Sequence, residues 1–205
     1  MRVFIAIELG KEIKEALSKI QDELKTVQGD VKWVEPQNIH LTLKFLGEIE
    51  ENKIPKISQT LKAISCQVRP FMITLSELGA FPSHKYPRVI WIGIAEGKTE
   101  LSKLVELIED SLVKLKFPKE KRGFSAHFTL GRVKSARRCL PAGKAGFGFP
   151  YSQSHKSEKN RESLCHKLNI IQVPELKQEI KSIVLFKSTL TSKGPFYEKI
   201  SEESF

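Results

Sequence analysis

Two short stretches of the sequence repeat the pattern His-x-Thr-Leu, although the chain contains only five histidines. The first stretch, NIHLTLKFLG, carries His40 and Thr42, and the second, FSAHFTLGRV, carries His127 and Thr129, 87 residues further on. An imidazole exchanges protons near neutral pH, and a threonine hydroxyl can donate a hydrogen bond to an oxyanion. A single copy is usually just the polar face of a strand, but packing alone gives no reason to repeat it. The repetition therefore predicts acid–base chemistry on an anionic ester.

The geometry of a β-strand brings each histidine onto the same face as its threonine. Residues i and i+2 of a strand project to one side, so His40 lies with Thr42 and His127 lies with Thr129. If the two strands face each other, two imidazoles and two hydroxyls converge on one cleft. One neutral imidazole then takes a proton from water, while one imidazolium gives a proton to the departing oxygen of a phosphodiester. The residues alone leave the two histidines equivalent.

Two basic residues follow the motifs and are candidate phosphate contacts. Lys44 has the strand parity of His40, so we expect its ammonium group on the same face. Arg132 has the opposite parity to His127 and reaches the phosphate only if a β-bulge near Gly131 redirects it. We therefore predict that Lys44 and Arg132 join the two threonines in binding the substrate. The chain has neither a clustered set of acidic residues nor a GxxxxGK[ST] loop, so we expect no metal and no other cofactor.

Hydrophobic periodicity assigns the elements that carry these motifs. Apolar residues recur at helical spacing in residues 10–28, 52–65 and 99–115, and much of the sequence between them alternates as strands. Helices and strands are interspersed without the regular spacing of a parallel βαβ sheet, which favours an antiparallel α+β fold. Since each half of the chain carries one His-x-Thr strand, we predict two lobes related by a pseudo-twofold axis.

The composition is that of an ordinary globular protein with a basic bias. Hydrophobic residues make up 40% of the chain, charged residues 28%, and the formal net charge is +10, which is compatible with a polyanionic partner. No apolar run is long enough to cross a membrane, and the first residues lack the features of a secretory signal. The three widely spaced cysteines favour neither a disulfide framework nor a zinc site. We therefore expect a cytoplasmic protein.

One segment differs from the rest in composition. Residues 137–168 are rich in Gly, Ser, Pro and basic side chains and show little apolar periodicity. The slightly wider range 135–169 carries seven basic and two acidic side chains, a net +5 that is half of the total. We predict a long loop or disordered insert here, and we favour a tolerated insertion over an arm that contacts nucleic acid.

At the paired motifs the sequence resembles the 2H phosphoesterase superfamily, and specifically the RNA 2′,3′-cyclic phosphodiesterases, also called 2′-5′ RNA ligases or LigT-like proteins. The resemblance covers about residues 1–135 and 178–200, and includes the stretches RVFIAIEL, KWVEPQNIHLTLKFLGE, YPRVIWIGI, AHFTLGRVKS and IVLFKSTLTSKGPFYEKI. It implies a single bilobal α+β domain over residues 1–205, with antiparallel sheets, helices on the outside and the active site in the cleft. The segment at 137–168 is atypical of this family.

The resemblance also implies an activity. The family hydrolyses 2′,3′-cyclic phosphate ends of RNA to 2′-phosphomonoesters without a metal. His40 would donate a proton to the 3′ oxygen, His127 would activate water, and Thr42 and Thr129 would hold the phosphate. Some relatives also join 2′-5′ ends by the reverse step. We expect a monomer that acts on such RNA ends or on small cyclic nucleotides and has no membrane partner.

Two other classes of function stay open at this point. One is cleavage of another nucleotide phosphodiester, such as a 2′-5′ oligonucleotide or cyclic ADP-ribose phosphate. The other is binding of RNA ends without turnover, although the presence of both His40 and His127 argues against a non-catalytic protein.

Overall fold

The computed structural model describes residues 1–27, 29–134, 162–192 and 194–205. Short 3₁₀ turns at Pro36–Asn38 and Glu51–Lys53 precede the third strand and the second helix, and residues 162–170 are helical. The other elements follow in the order β1 (Arg2–Glu8), α1 (Lys11–Lys25), β2 (Val31–Trp33), β3 (His40–Glu48), α2 (Ile54–Ser65), β4 (Phe71–Phe81), β5 (Val89–Ile94), α3 (Lys98–Val113), β6 (His127–Val133), β7 (Lys177–Ile180), β8 (Ser182–Thr191) and β9 (Gly194–Ser204).

The strands form two antiparallel sheets, one for each lobe. The first sheet has the order β3-β1-β8-β9, and the second has the order β2-β6-β5-β4-β7. Each sheet therefore contains one of the two motif strands, β3 in the first and β6 in the second. Every strand pair is antiparallel, which confirms the antiparallel α+β fold predicted from the sequence.

The helices are amphipathic, and their apolar faces complete the core. In α1 the buried apolar residues Ile13, Leu17, Ile20 and Leu24 recur at intervals of three and four, which is the spacing of one helix face. The same spacing is present in α2 and α3. Fully burying one such side chain contributes about 1.5–3 kcal/mol. One large buried cluster contains residues of both sheets and of α1, α2 and α3, so the two lobes share this hydrophobic core.

Two elements differ from the predictions. Residues 162–168 were expected to be part of an irregular insert, but they are helical, and Leu164 and Leu168 are buried at a spacing of four. Two leucines in a polar stretch give too short an apolar pattern to indicate a helix. Strand β7 was not predicted because its sequence, KQEI, has a single buried apolar residue, Ile180. The rest of the predicted insert, 137–161, lies outside the described residues.

The helices of the described ranges are those of a packed globular protein. None of them is both long and apolar enough to span a bilayer. The predicted helix ranges were slightly too long: α1 ends at Lys25 rather than near residue 28, and α3 ends at Val113 rather than at residue 115. These differences lie within the fraying that is usual at helix ends.

Candidate active site

The two motif histidines occupy equivalent places in their strands. His40 is the first residue of β3, and His127 is the first residue of β6. Along both strands the burial alternates: the histidine and threonine are partly exposed, while Leu41 and Phe128 between them are fully buried. Each histidine therefore shares a partly exposed face with its threonine. Neither threonine hydroxyl has a hydrogen-bond partner among the residues that the structure describes.

The backbone holds both imidazoles in the same way. The Nδ1 atom of His40 lies 2.8 Å from the carbonyl oxygen of Asn38, and the Nδ1 atom of His127 lies 2.7 Å from the carbonyl oxygen of Ser125. A carbonyl can only accept, so each Nδ1–H is the donor, and the neutral ring carries its lone pair on Nε2. Both side chains thus keep Nε2 for proton transfer. In both motifs the imidazole is hydrogen-bonded to the carbonyl two residues earlier in the chain. The two motifs are therefore alike in structure as well as in sequence.

Aromatic rings cover His40. Its ring centroid lies 4.8 Å from that of Phe4, 5.2 Å from that of Tyr197, which meets it edge-on, and 6.3 Å from that of Phe186. Burial by these neighbours lowers the pKa of His40 to about 4, against the opposing effect of the Asn38 carbonyl and with a small contribution from the charge of Lys14. In the free protein His40 is therefore neutral at pH 7.

His127 has a different aromatic environment on the second sheet. Phe81 meets the imidazole edge-on at a centroid distance of 5.2 Å, and Trp91 lies at 6.4 Å. The indole covers Gly79, where a Cβ atom would come within 2.3 Å of the Trp91 ring. Only glycine leaves room for the indole to lie flat at this point, so Gly79 sets the position of the ring that borders His127.

A β-bulge follows the first motif and reverses the side-chain parity. Thr42 pairs with Ala6 of β1 and Lys44 pairs with Ile5, so β3 has one extra residue, Leu43, between two consecutive residues of β1. An extra residue sends the next side chain to the face opposite to that expected from simple alternation. Lys44 therefore points into the core, and the following side chain takes the outer face.

The prediction that Lys44 contacts phosphate is wrong in this structure. Lys44 is only 2% exposed, and its Nζ atom donates hydrogen bonds to Glu109 Oε2 at 2.6 Å and to the carbonyl oxygen of Pro118 at 2.9 Å. The bulge after Thr42 is the physical reason. Lys44 instead ties the motif strand β3 to helix α3, and it does so through a buried ion pair.

The second motif has a bulge at the matching position. This bulge favours the prediction that Arg132 contacts phosphate. Thr129 pairs with Trp91 and Gly131 pairs with Ile90, so Leu130 is the extra residue. Arg132 is exposed, whereas simple alternation from the buried Leu130 would direct it toward the core. The bulge near Gly131 that the sequence analysis required is present, and Arg132 remains a candidate phosphate ligand.

Several residues bring the two motif strands together. Strands β3 and β6 approach each other with Cα atoms within 8 Å. The buried Gln21 of α1 donates hydrogen bonds of 2.8 Å to the carbonyl oxygens of Val34, which leads toward β3, and of Leu130 in β6. Burial raises the pKa of Tyr197, and the nearby charge of Arg132 opposes this effect. A side chain of the second motif strand therefore lies within electrostatic reach of a ring that packs on His40.

Sequence reasoning missed two aromatic residues of this region. Tyr197 packs on His40, but nothing in the stretch GPFYEKI indicates that its strand lies across the sheet from β3. Phe45 is 60% exposed and lies 5.9 Å from Phe4, on the face where Lys44 was expected. Phe45 is exposed because of the bulge in β3. Nothing in the sequence after either motif, Thr-Leu-Lys or Thr-Leu-Gly, indicates a bulge.

Two cavities lie near the motif strands. A cavity of about 490 Å³ is lined by His40, Asn38 and Tyr197, among others. A smaller one of about 250 Å³ is lined by Ser125 and Trp91, which are neighbours of His127, but not by His127 itself. Within the described ranges no group of three or more His, Cys, Asp or Glu residues is arranged to hold a metal ion. The absence of a metal and of other cofactors stays a prediction.

Comparisons with known proteins identify the family of this chain. The family described as LigT-like phosphoesterase matches residues 7–91. An RNA 2′,3′-cyclic phosphodiesterase of Archaeoglobus fulgidus is 36% identical over 202 residues, which are 98% of each chain. A protein of the same name from Methanocaldococcus jannaschii is also 36% identical over 202 residues, covering 98% of this chain and 99% of its own.

Solved structures share the fold. A crystal structure from Thermus thermophilus is 26% identical, has a TM-score of 0.74 and covers 100% of this chain and 97% of its own. Escherichia coli LigT in complex with 3′-AMP has a TM-score of 0.69 at 21% identity, over 99% of this chain and 97% of that one. The predicted bilobal LigT-like fold and the resemblance that carried it are confirmed, and the chain belongs to the LigT-like phosphoesterase family.

Proposed function

We propose that the protein hydrolyses 2′,3′-cyclic phosphate ends of RNA to 2′-phosphomonoesters by a metal-independent mechanism that uses two histidines. Relatives at 36% identity over nearly the whole chain are named RNA 2′,3′-cyclic phosphodiesterases. One structural observation supports the mechanism: in both lobes a backbone carbonyl binds Nδ1–H of the motif histidine, which leaves Nε2 for proton transfer, and the histidine shares its strand face with a threonine. We infer that these residues provide two proton-transfer groups and two hydrogen-bond donors for one phosphate.

The reaction needs one imidazole in each protonation state. A water molecule attacks the phosphorus and gives its proton to Nε2 of neutral His127. The bond between phosphorus and the 3′ oxygen breaks, and the leaving oxygen takes the proton from Nε2 of a protonated His40. Thr42, Thr129 and Arg132 bind the non-bridging oxygens as negative charge develops on them. Each proton transfer is typically worth roughly 10²–10⁴-fold in rate.

The low pKa of His40 makes its role as a donor depend on the substrate. At a pKa of about 4 the ring is neutral at pH 7, and a neutral ring suits a proton acceptor better than a donor. A bound phosphodiester brings a negative charge next to this ring and favours the imidazolium. We infer that the bound phosphate promotes protonation of His40 and thereby its role as donor. If an RNA 5′-hydroxyl replaces water as the nucleophile, it gives its proton to His127, the 3′ oxygen leaves with the proton from His40, and a 2′-5′ phosphodiester forms.

The test is turnover of adenosine 2′,3′-cyclic phosphate in EDTA, with the product identified by chromatography. We expect the wild-type protein to form adenosine 2′-phosphate at an unchanged rate in EDTA. His40→Ala and His127→Ala should each lose at least about 100-fold in kcat. His84→Ala is the matched control, because the His84 ring contacts Asn169 outside both motifs.

Each alternative predicts a different result in the same assay. A protein that only binds RNA ends would show no turnover. Loss of activity in EDTA would show that a metal takes part in the reaction. Formation of the 3′-phosphate would contradict the proposed identity of the leaving oxygen.

A further inference from the structure

The smaller cavity, here called the Trp91 pocket, lies beside the second motif strand. Its volume is about 250 Å³, which is below the roughly 300–1,000 Å³ of sites that hold a whole small ligand and suits a single group such as a base. Gly93 lines the pocket and pairs directly with His127 across β5 and β6. Ser125 also lines it, and its carbonyl oxygen binds Nδ1 of His127. The pocket is therefore next to the imidazole that activates the nucleophile in the proposed reaction.

Two glycines leave the space that the indole of Trp91 occupies. A Cβ atom on Gly79 would overlap the indole, and one on Gly93 would come within 2.5 Å of Ser76 Oγ and 3.1 Å of the indole. Trp91 is partly exposed, but its Nε1 atom is buried and has no hydrogen-bond partner among the described residues. A buried N–H without a partner costs about 1–3 kcal/mol, so a hydrogen bond is not what keeps the ring in place. The ring is held by its shape, and part of its surface stays open to a ligand.

The lining of the Trp91 pocket combines this aromatic ring with exposed polar groups. Glu77 contributes a carboxylate, Lys98 an ammonium group and Ser102 a hydroxyl. A carboxylate accepts hydrogen bonds from the amino groups of bases, and ammonium and hydroxyl groups donate to their ring nitrogens and carbonyl oxygens. Single-stranded RNA is recognised by this combination of stacking and polar contacts to base edges. Because Glu77 and Lys98 carry opposite charges, the pocket is not strongly basic and suits a base better than a phosphate.

We propose that the Trp91 pocket binds the base of a second nucleoside, whose 5′-hydroxyl takes the place of water as the nucleophile. This inference rests on the proposed function. In an in-line displacement the nucleophile and the leaving oxygen lie on opposite sides of phosphorus. The leaving 3′ oxygen takes its proton from His40, so the nucleophile enters on the side of His127, where the Trp91 pocket lies.

The step joins the two nucleosides. The 5′ oxygen forms a bond to phosphorus as the bond between phosphorus and the 3′ oxygen breaks. The proton of the 5′-hydroxyl goes to Nε2 of His127, and the 3′ oxygen takes the proton of His40. The product is a 2′-5′ phosphodiester with a free 3′-hydroxyl, and no other reactant is needed. When no acceptor is bound, water attacks instead and the product is the 2′-phosphate.

The test lets an acceptor compete with water for adenosine 2′,3′-cyclic phosphate. One acceptor is adenosine, and the other is methyl riboside, which has a 5′-hydroxyl but no base. The ratio of the 2′-5′ diester to adenosine 2′-phosphate, measured by chromatography at one acceptor concentration, reports acceptor binding independently of the overall rate. Stacking of one base on an aromatic side chain is worth about 5-fold to 150-fold. We expect the wild-type protein to favour adenosine over methyl riboside by a factor in this range.

Two variants test whether the preference for adenosine arises in the Trp91 pocket. Trp91→Leu removes the aromatic ring and should abolish the preference. Ser102→Phe fills the pocket from helix α3, leaves Trp91 in place and should abolish it as well, so the test does not depend on the folding of one variant. Thr99→Phe is the matched control, because it changes an exposed residue of the same helix that does not line the pocket and should keep the preference.

The possible outcomes distinguish this inference from the proposed function. If the wild-type protein forms adenosine 2′-phosphate but no diester, or uses both acceptors equally, the inference is overturned and the proposed function stands. A preference for adenosine that survives in Trp91→Leu or Ser102→Phe would overturn it as well, because the base would then bind elsewhere. If neither product forms from adenosine 2′,3′-cyclic phosphate, the proposed function fails, and the inference fails with it.

Discussion

Mild acid should destabilise the protein through protonation of the His40 imidazole. The unfolded chain binds a proton at this residue with a pKa of 6.5, whereas burial lowers the pKa in the folded state to about 4. Between these values the unfolded state binds more protons, so the free energy of unfolding rises with pH. The contribution is fully present above about pH 6.5 and is lost as the pH falls toward 4.

The two pKa values give the size of the effect. At pH 5 the linkage relation gives a loss of about 2 kcal/mol relative to neutral pH. The limiting loss, reached below pH 4, is about 3.4 kcal/mol, because each pKa unit corresponds to about 1.36 kcal/mol. Since a small domain has only about 5–15 kcal/mol of total stability, a loss of 2 kcal/mol is easily measured.

Urea unfolding at pH 7.5 and pH 5.0 measures this contribution directly. The wild-type protein should lose about 2 kcal/mol more between these pH values than His40→Gln, which replaces the imidazole by a side chain that does not titrate. His166→Gln removes an exposed imidazole and is the matched control. Because the comparison is a difference between two pH values, any cost of the substitution at pH 7.5 cancels. Equal losses in the wild type and His40→Gln would refute the burial of a neutral His40.

Two further substitutions test the assignments made around the bulges. Lys44→Met should lower the free energy of unfolding in urea by about 3–5 kcal/mol, because it leaves Glu109 buried and unpaired. The double variant Lys44→Met/Glu109→Leu should recover much of this loss. A loss below about 1 kcal/mol for the single change would contradict the buried pair. Arg132→Lys should lower kcat/KM for adenosine 2′,3′-cyclic phosphate by about 10-fold or more, because lysine cannot bind phosphate oxygens with a planar fork, whereas Lys134→Arg, two residues further on, should have little effect. Unchanged kinetics in Arg132→Lys would remove Arg132 from the site.

Most of the fold could be predicted from the sequence because its signals are local. The apolar spacing of α1, α2 and α3 and the alternation of the strands indicate these elements directly. The helix at 162–170 and strand β7 were missed because each buries too few apolar residues to make a pattern. The order of strands within the sheets was not predicted, since it depends on contacts between distant parts of the chain.

The difference between local signals and distant contacts also explains which parts of the candidate site could be predicted. Strand alternation predicts that each histidine shares a face with its threonine, and the structure shows this arrangement. Lys44 was assigned to the wrong face because alternation holds only while the strand is regular, and a bulge depends on the neighbouring strand. Tyr197 was missed for a related reason: its contact with His40 depends on how β9 and β3 are arranged in one sheet.

In the proposed mechanism, the residues that transfer protons and the residues that assign the donor and acceptor roles lie in different parts of the sequence. Two equivalent histidines are enough for acid–base catalysis, but the two roles require the histidines to differ. The repeated residues and the carbonyls that bind Nδ1 are alike in both lobes, so they cannot supply that difference. It must come from residues outside the repeat: after the matching bulges the exposed residue is Phe45 in one strand and Arg132 in the other. The aromatic cover of His40 adds to this asymmetry, because burial lowers the pKa of that ring.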